Sequence, residues 1–291
     1  MIGMSKFQTF NQRLLRIHQK NEFSIVAHRG QWGGNIVENS INSAKLTSFF
    51  GAEIMEVDFA KTKDNKYIAF HTGNEENLCG VTMDIHDKTF DEIKNLRLKN
   101  SLHHPINQHF ELVEEIFRVA PADLLFQIDR SFFYLPDVLQ FLDKMNEELK
   151  QRMIIKCHMK REHLDAFESY PYKFMCMPIF SSKDDLELLE DYPNVNFIGI
   201  EVLAESENSW TYGKELTETI HNKYNLLVQL NAIRLNDEIS LYAGLDDNLS
   251  LLDNPDKGWG KLIEFGADFI QTDWVAALNH YREQRKSEQK I

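Results

Sequence analysis

Residues 25–71 read IVAHRGQWGGNIVENSINSAKLTSFFGAEIMEVDFAKTKDNKYIAFH. Two apolar runs in this stretch, Ser24–Ala27 and Ala52–Phe59, have strand character and both end in polar chemistry. The first delivers His28, Arg29 and Gly30. The second carries Glu56 and Asp58, two residues apart, which on a strand places both carboxylates on one face, roughly 7 Å apart along the backbone. Carboxylates that close repel unless a cation sits between them. A third run, Tyr67–Phe70, ends in His71, and Asp64-Asn65 before it is a two-residue hairpin signal that would set Asp58 opposite His71. Between the first two runs, Glu38-Asn39-Ser40 opens a helix to about Phe50, with Asn39 or Ser40 as its N-cap and Gly51 as its stop.

Downstream, residues 72–90 form a polar excursion. Thr89-Phe90-Asp91-Glu92 then fits a capping box, and a helix follows over Glu111–Val119. From there apolar strands at Leu124–Asp129, Met153–His158, Phe174–Phe180, Phe197–Val202, Leu226–Asn231 and Asp268–Asp273 alternate with helices that include Leu135–Leu149, Lys183–Leu189, Thr211–Lys223 and Gly258–Phe265. Alternating β and α units predict a parallel sheet. With the first two runs there are eight strands, the count of a (β/α)8 TIM barrel. Tyr67–Phe70 is an antiparallel hairpin extension after the second strand, because so short a link cannot make a parallel crossover. A doubly wound open sheet is the alternative, but no Gly-rich fingerprint follows the first strand. Residues 1–23 predict a short amphipathic helix that plugs one end of the fold, and 24–291 a single barrel domain without a linker.

The chain has 291 residues, 43% hydrophobic and 26% charged, the balance of an ordinary globular protein. Its net charge of −13 argues against a nucleic-acid or anionic-membrane partner, so an anionic substrate needs a local cationic pocket or a metal. Cys79, Cys157 and Cys176 form no metal-spaced set, and Cys157 in an apolar run is expected to be a buried thiol. The N-terminus lacks the apolar region of a signal peptide, and no stretch approaches a membrane span. A cytoplasmic protein is the expectation.

In a TIM barrel the C-terminal strand ends share the active-site face. Here they carry His28 and Arg29, Glu56 and Asp58, Gln127 and Asp129, Lys156 and His158, Glu201, Gln229 and Asn231, and Thr272 and Asp273. Packing alone does not account for so many polar residues there, although Glu201, Asn231 and Asp273 would serve equally well in rim salt bridges.

The ordered set Ala27-His28-Arg29-Gly30, Glu38-Asn39, Gly51-Ala52, Glu56-Val57-Asp58, Lys61-Thr62-Lys63-Asp64, His71, Leu112-Val113-Glu114-Glu115, and Gly266-Ala267-Asp268 leading to Thr272-Asp273 resembles the glycerophosphodiester phosphodiesterase family, on the barrel of the PLC-like phosphodiesterases. The resemblance runs from about Ser24 to Trp274. It implies metal-dependent hydrolysis of glycerophosphodiesters to an alcohol and glycerol 3-phosphate. His28 and His71 would be acid and base, and Glu56 and Asp58 would bind a divalent cation with a third acid from the next barrel strand. Two positions depart from the pattern. His71-Thr72 stands where the family has His-Asp, and Asp129-Arg130-Ser131 stands where it has Glu-x-Lys. Asp129 fits the third acid, and Lys156 is expected to supply the missing charge. His86-Asp87 looks like the first missing motif but lies out of register.

These assignments meet the chemistry of a phosphodiester. Glu56, Asp58 and Asp129 are hard oxygen ligands for Mg²⁺ or Ca²⁺. Arg29 offers a fork to the phosphate, with Lys156 beside it. His28 and His71 exchange protons near neutral pH. Glu38 touches the metal or orients Arg29, and we favour the second. Trp32 and Trp274 are expected near the mouth as rim residues. Other substrates stay open: a lysophospholipid, as in the related sphingomyelinase D group, or a glycerol-phosphate polymer. So does a barrel that binds a phosphorylated ligand without turnover.

Overall fold

The computed structural model describes residues 2–180 and 182–288. The strands are β1 (Ser24–Ala27), β2 (Ile54–Lys61), β3 (Tyr67–Ala69), β4 (Leu125–Asp129), β5 (Met153–His158), β6 (Met175–Phe180), β7 (Asn196–Phe197), β8 (Gly199–Val202), β9 (Leu227–Asn231) and β10 (Phe269–Thr272). Parallel pairing runs β1-β10-β9-β8-β6-β5-β4-β2, and β1 pairs back to β2, so the sheet closes. Counting β7 and β8 as one stave interrupted at Ile198, this is the eight-stave (β/α)8 barrel. The strand expected over Phe197–Val202 is thus split in two.

Alternation along the staves sorts the side chains. Ile54, Leu125, Ile154, Met175, Leu227 and Phe269 form an apolar cluster at the barrel's base. Ile2, Leu14 and Ile17, the last two on helix α1 (Gln8–His18), join that cluster and so cover the N-terminal end. Above it the barrel turns polar. Gln127 donates from Nε2 to Gln229 Oε1 (2.5 Å), and Gln229 donates to Gln271 Oε1 (2.8 Å). This amide chain crosses the barrel and forms the floor of whatever lies above. The opposite faces of the same strands, Met55, Val57, Phe126, Ile155 and Cys157 among them, pack with Leu139, Leu164 and Leu262 from the surrounding helices. Burial on both faces is why these strands read as near-continuous apolar runs.

Helix α2 (Ile41–Phe49) is capped by Ser40, which exchanges hydrogen bonds with Ser43 in a capping box, and the chain leaves it through Gly51 at φ +94°. Asn39, the other cap candidate, has a left-handed backbone and a different task, described below.

The hairpin differs from expectation by one residue. Phe59 pairs with Ala69 and Lys61 with Tyr67, which sets Asp58 opposite Phe70 rather than His71. The loop has three residues, Lys63-Asp64-Asn65. Thr62 N–H bonds Lys66 O, and Asn65 takes φ +60°, the left-handed closing residue of such loops. The segment Leu135–Leu149 is also not one helix. It divides into Asp137–Asp143 and Glu147–Lys150, the second capped by Asn146, whose side chain accepts from Leu149 N–H.

Candidate active site

β1 pairs with β10 and β2, then turns sharply after Ala27. Arg29 (φ +56°) and Gly30 (φ +76°) both have left-handed backbones, and Gly30 N–H returns to Ala27 O. A non-glycine residue in that region is uncommon, and here it aims the Arg29 side chain back over the barrel. His28 Nδ1 lies 2.8 Å from Asp273 Oδ1, so the carboxylate accepts the Nδ1 hydrogen and Nε2 is left to face the pocket. Behind Asp273 sits Asp247, 2% exposed. Its Oδ1 accepts from Thr272 Oγ1 and Trp259 Nε1, and its Oδ2 accepts from Asp273 N–H.

Burial pushes the Asp247 carboxyl up to about 7 against those three donors. Between about pH 4 and pH 7 the folded chain therefore keeps a proton that the unfolded chain has released, and stability falls as pH rises through that window. Urea unfolding of wild type and Asp247→Asn at pH 4 and pH 8 checks this. The wild-type advantage is expected to shrink by roughly 3 kcal/mol across the range, and a constant difference would reject it.

Arg29 gathers the acids. Its backbone N–H donates to Glu56 Oε2 (2.8 Å), Nη1 donates to Glu38 Oε1 (2.8 Å), and Nε lies 3.3 Å from Asp58 Oδ2. Burial alone would weaken the guanidinium's hold on its proton, but Glu38, Asp58 and Glu56 outweigh it and strengthen that hold. Asp58 is fixed from the other side by Asn39, whose Nδ2 donates to Oδ2 while its Oδ1 accepts from Asp58 N–H, both at 3.0 Å. Glu38 is thus bonded to Arg29, and Asn39 to Asp58.

Asp58 and Asp129 are register partners on β2 and β4, side by side on neighbouring staves. Lys156 on β5 lies between carboxylates. Its Nζ is 2.6 Å from Asp129 Oδ2 and 2.7 Å from Glu201 Oε2, and Glu201 Oε1 accepts from Asn231 Nδ2 at 2.6 Å. Burial works to raise the Asp129 carboxyl, but Lys156, with the Arg130 N–H, holds it below the usual carboxylate range. Glu56 goes the other way. Burial, with Asp58 and Asp129 close by, pushes it well up.

His71 reaches the same pocket from beyond β3 despite the shifted register. Arg130 Nη1 donates to His71 Nε2 (3.3 Å) and Nη2 to Thr72 Oγ1 (2.8 Å). Burial, supported by Arg29 and Arg130 against Asp58 and Glu38, lowers the His71 pKa. His28, Arg29, Glu56, Asp58, His71, Asp129 and Lys156 all line one cavity of about 240 Å³ at the C-terminal mouth of the barrel, and Glu38 stands behind Arg29. His86 lies outside the pocket, in a short 3-10 turn over Ile85–Asp87, with Nδ1 on Lys61 O.

Sequence reasoning missed Arg130. It follows Asp129 with a left-handed backbone (φ +56°), and no residue pattern marked that turn. Glu201, Asn231 and Asp273, which could equally have been rim residues, have functional-site neighbours: Lys156, Glu201 and His28 respectively.

Glu56, Asp58 and Asp129 line one pocket without converging on a single point. Among the described residues no three His, Cys, Asp or Glu side chains are arranged to hold an ion as they stand. Their oxygens are drawn to Arg29, Asn39, Lys156 and the Arg130 N–H instead. The donor chemistry nonetheless fits a hard divalent cation. Among the described residues lining the pocket, Arg29, Arg130 and Lys156 face four carboxylates, Glu56, Asp58, Asp129 and Glu201, and Glu38 adds a fifth behind. Hard carboxylate oxygens gathered in this way are the donors a divalent cation takes, and such a cation would relieve their mutual repulsion.

The chain shares its fold with solved glycerophosphodiester phosphodiesterases. A glycerophosphoryl diester phosphodiesterase from Parabacteroides distasonis matches with a TM-score of 0.70 at 19% identity, over 91% of this chain and 90% of its own. A glycerophosphodiester phosphodiesterase from Thermotoga maritima matches at 0.64 and 18% identity, over 89% and 98%. An Oleispira antarctica phosphodiesterase, solved in complex with the product sn-glycerol-3-phosphate, matches at 0.63 and 14% identity, over 88% and 95%. Residues 174–282 match a family described as a domain of unknown function, DUF4996. No curated protein sequence matches significantly. No helix among the described residues is long and apolar enough to cross a membrane.

Proposed function

We propose that this chain, a barrel with the fold of glycerophosphodiester phosphodiesterases, hydrolyses glycerophosphodiesters to an alcohol and glycerol 3-phosphate with the help of a divalent cation. The observation that carries the reading is the meeting of two imidazoles, two arginines and the Glu56/Asp58/Asp129 carboxylates in one cavity. Arg130 gives its guanidinium nitrogens to His71 and Thr72 rather than to a carboxylate, so the pocket's cations are not all spent on its acids. Arg29 and Arg130 take the non-bridging phosphate oxygens. Lys156 is held between two acids and is 2% exposed, so it acts through its charge rather than by touching the substrate.

Of His28, its ring held by Asp273, and His71, one takes the proton of the attacking oxygen and the other gives a proton to the alkoxide as its bond to phosphorus breaks. Glu56, Asp58 and Asp129 would hold Mg²⁺ or Ca²⁺, which when bound neutralises charge on the phosphoryl oxygens. Attack by water yields glycerol 3-phosphate directly, whereas attack by a substrate hydroxyl yields a cyclic phosphate, and phosphorus NMR of the products separates the two.

The test is hydrolysis of glycerophosphocholine with Mg²⁺ or Ca²⁺ present. Dialysis against EDTA is expected to lower kcat at least ~10²-fold, and either ion to restore it. Turnover that ignores the chelator would reject the cation. Binding of glycerol 3-phosphate with no turnover under any ion would favour a ligand-binding barrel instead.

A further inference from the structure

Arg29 and Arg130 line the same pocket but are held by different chemistry. Arg29 donates to Glu38 at 2.8 Å and lies 3.3 Å from Asp58, both carboxylates. Arg130 gives its side-chain donors to two uncharged acceptors. Nη1 reaches His71 Nε2 at 3.3 Å, and Nη2 reaches Thr72 Oγ1 at 2.8 Å. The guanidinium also lies 5.4 Å from the ring centroid of Phe133, an exposed side chain. Thr72 is set in place to receive it. Gly73 (φ +95°) turns the chain there and donates its N–H to Glu75 Oε2 at 2.8 Å.

The contact with His71 has a chemical consequence. A neutral imidazole has one donor nitrogen and one acceptor nitrogen, and an imidazolium has no acceptor. While Arg130 donates to Nε2, the ring proton sits on Nδ1. In that state Nε2 neither takes a proton nor gives one. Whichever way a proton moves at this nitrogen, Arg130 must leave it first.

We propose that Arg130 is a positioning residue that caps His71 Nε2 until a phosphoryl group draws its guanidinium away and frees that nitrogen for proton transfer. This role rests on the phosphodiester reading of the site and goes beyond phosphate contact, since the contact becomes the trigger for the histidine. The exchange has a definite direction. Two neutral acceptors, one of them at the long distance of 3.3 Å, are replaced by phosphate oxygens that carry charge and match the guanidinium fork. As Arg130 moves, the imidazole loses a neighbouring positive charge and gains a negative one, and both changes favour a proton at Nε2. Arg29 stays with Glu38 and Asp58, so it marks the phosphate position while Arg130 moves onto it. A ligand without a phosphoryl group leaves His71 capped. The neutral side chain of Thr72 matters here, because a carboxylate in its place would keep the guanidinium.

The first measurement needs no turnover. Nitrogen-15 labelling of the histidines, with long-range proton–nitrogen correlation, reads which ring nitrogen of His71 carries the proton. The pH is held at about 8, above the ordinary histidine pKa of about 6.5, and His71→Gln assigns the signal. In wild type the proton is expected on Nδ1, and in Arg130→Met largely on Nε2, the tautomer imidazole favours in water. Thr72→Ser keeps the hydroxyl acceptor and should keep the wild-type tautomer. Glycerol 3-phosphate with Mg²⁺ is expected to shift the Nε2 resonance of wild type, and glycerol to leave it in place. In Thr72→Asp the new carboxylate holds Arg130, so glycerol 3-phosphate should no longer shift that resonance. The same variant is expected to lose at least about tenfold in kcat on glycerophosphocholine, the worth of one hydrogen bond between charged groups. The same tautomer in wild type and Arg130→Met, a resonance that bound glycerol 3-phosphate leaves unmoved, or Thr72→Asp as fast as wild type would overturn the role of Arg130. The expected resonance changes in a protein that hydrolyses no glycerophosphodiester would keep the phosphate-released cap and overturn the hydrolase reading. Glycerol 3-phosphate that does not bind would overturn both.

Discussion

His28→Ala is expected to lower kcat/KM for a glycerophosphodiester about 10³-fold while leaving the fold standing. General acid–base groups contribute roughly 10²–10⁴ to a rate, and His28 has the placement for the upper half of that range. It lines the pocket, and its Nδ1 is anchored to Asp273 Oδ1 at 2.8 Å, so the ring cannot turn its other nitrogen away. Asp273 is itself aimed by Asp247 through a backbone N–H. Asp273→Asn should therefore cost less than His28→Ala, because it leaves the proton carrier in place and only loosens its orientation. His86→Ala is the control. His86 is exposed in the turn over Ile85–Asp87 and bonded to Lys61 O, so its loss should not change the rate. Equal rates in wild type and His28→Ala, with matching circular dichroism and Tm, would remove the assigned site.

The elements that could be read beforehand share a physical cause. Strands buried on both faces show as apolar runs, and their spacing between helical segments counts the staves. Met153–His158 needed no adjustment at either end, and Ser40 and Thr89 cap helices as their sequences predict. The polar strand ends were legible for the same reason, since barrel topology gives them one address. Loop geometry was less so. Asp64-Asn65 reads as a two-residue turn, but Asn65 tolerates a left-handed backbone, and the loop closes over three residues with the register moved by one. His71 still reaches the pocket because it lies past the last ladder pair, where the strand no longer dictates its direction. Arg130 was invisible because its role depends on a backbone twist at one position. The carboxylate grouping was legible by residue type but not by geometry. Each acid has competing cations and amides from distant parts of the chain, and their distances follow only from the closed barrel.

Lys156→Met is expected to destabilise the protein by about 3 kcal/mol at pH 7, the lower end of the cost of breaking a buried ion pair, since Asp129 keeps some contact with solvent. The ammonium joins carboxylates from two other staves, Asp129 on β4 and Glu201 on β8, at 2.6 and 2.7 Å. Removing it leaves those acids facing one another over a floor of amides with no cation between them. The pH dependence has a definite sign. Lys156 contributes to holding the Asp129 carboxyl below its usual range, so the stabilisation is present above the ordinary aspartate pKa and is lost as pH falls through the depressed value. Denaturant unfolding should accordingly show the largest gap between wild type and Lys156→Met at neutral pH and a small one near pH 3. Neutralising the partners as well, in Lys156→Met/Asp129→Asn/Glu201→Gln, should recover most of the lost stability, because the cost lies in the stranded charges rather than in the missing side chain. Lys156→Met as stable as wild type at pH 7 would mean that solvent already screens the three groups and that Lys156 does not tie the staves together. The triple variant would still lack activity, since Asp129 is one of the three acids assigned to the cation. Stability and turnover therefore separate at this position: the first follows the balance of charge across β4, β5 and β8, and the second requires the carboxylate itself.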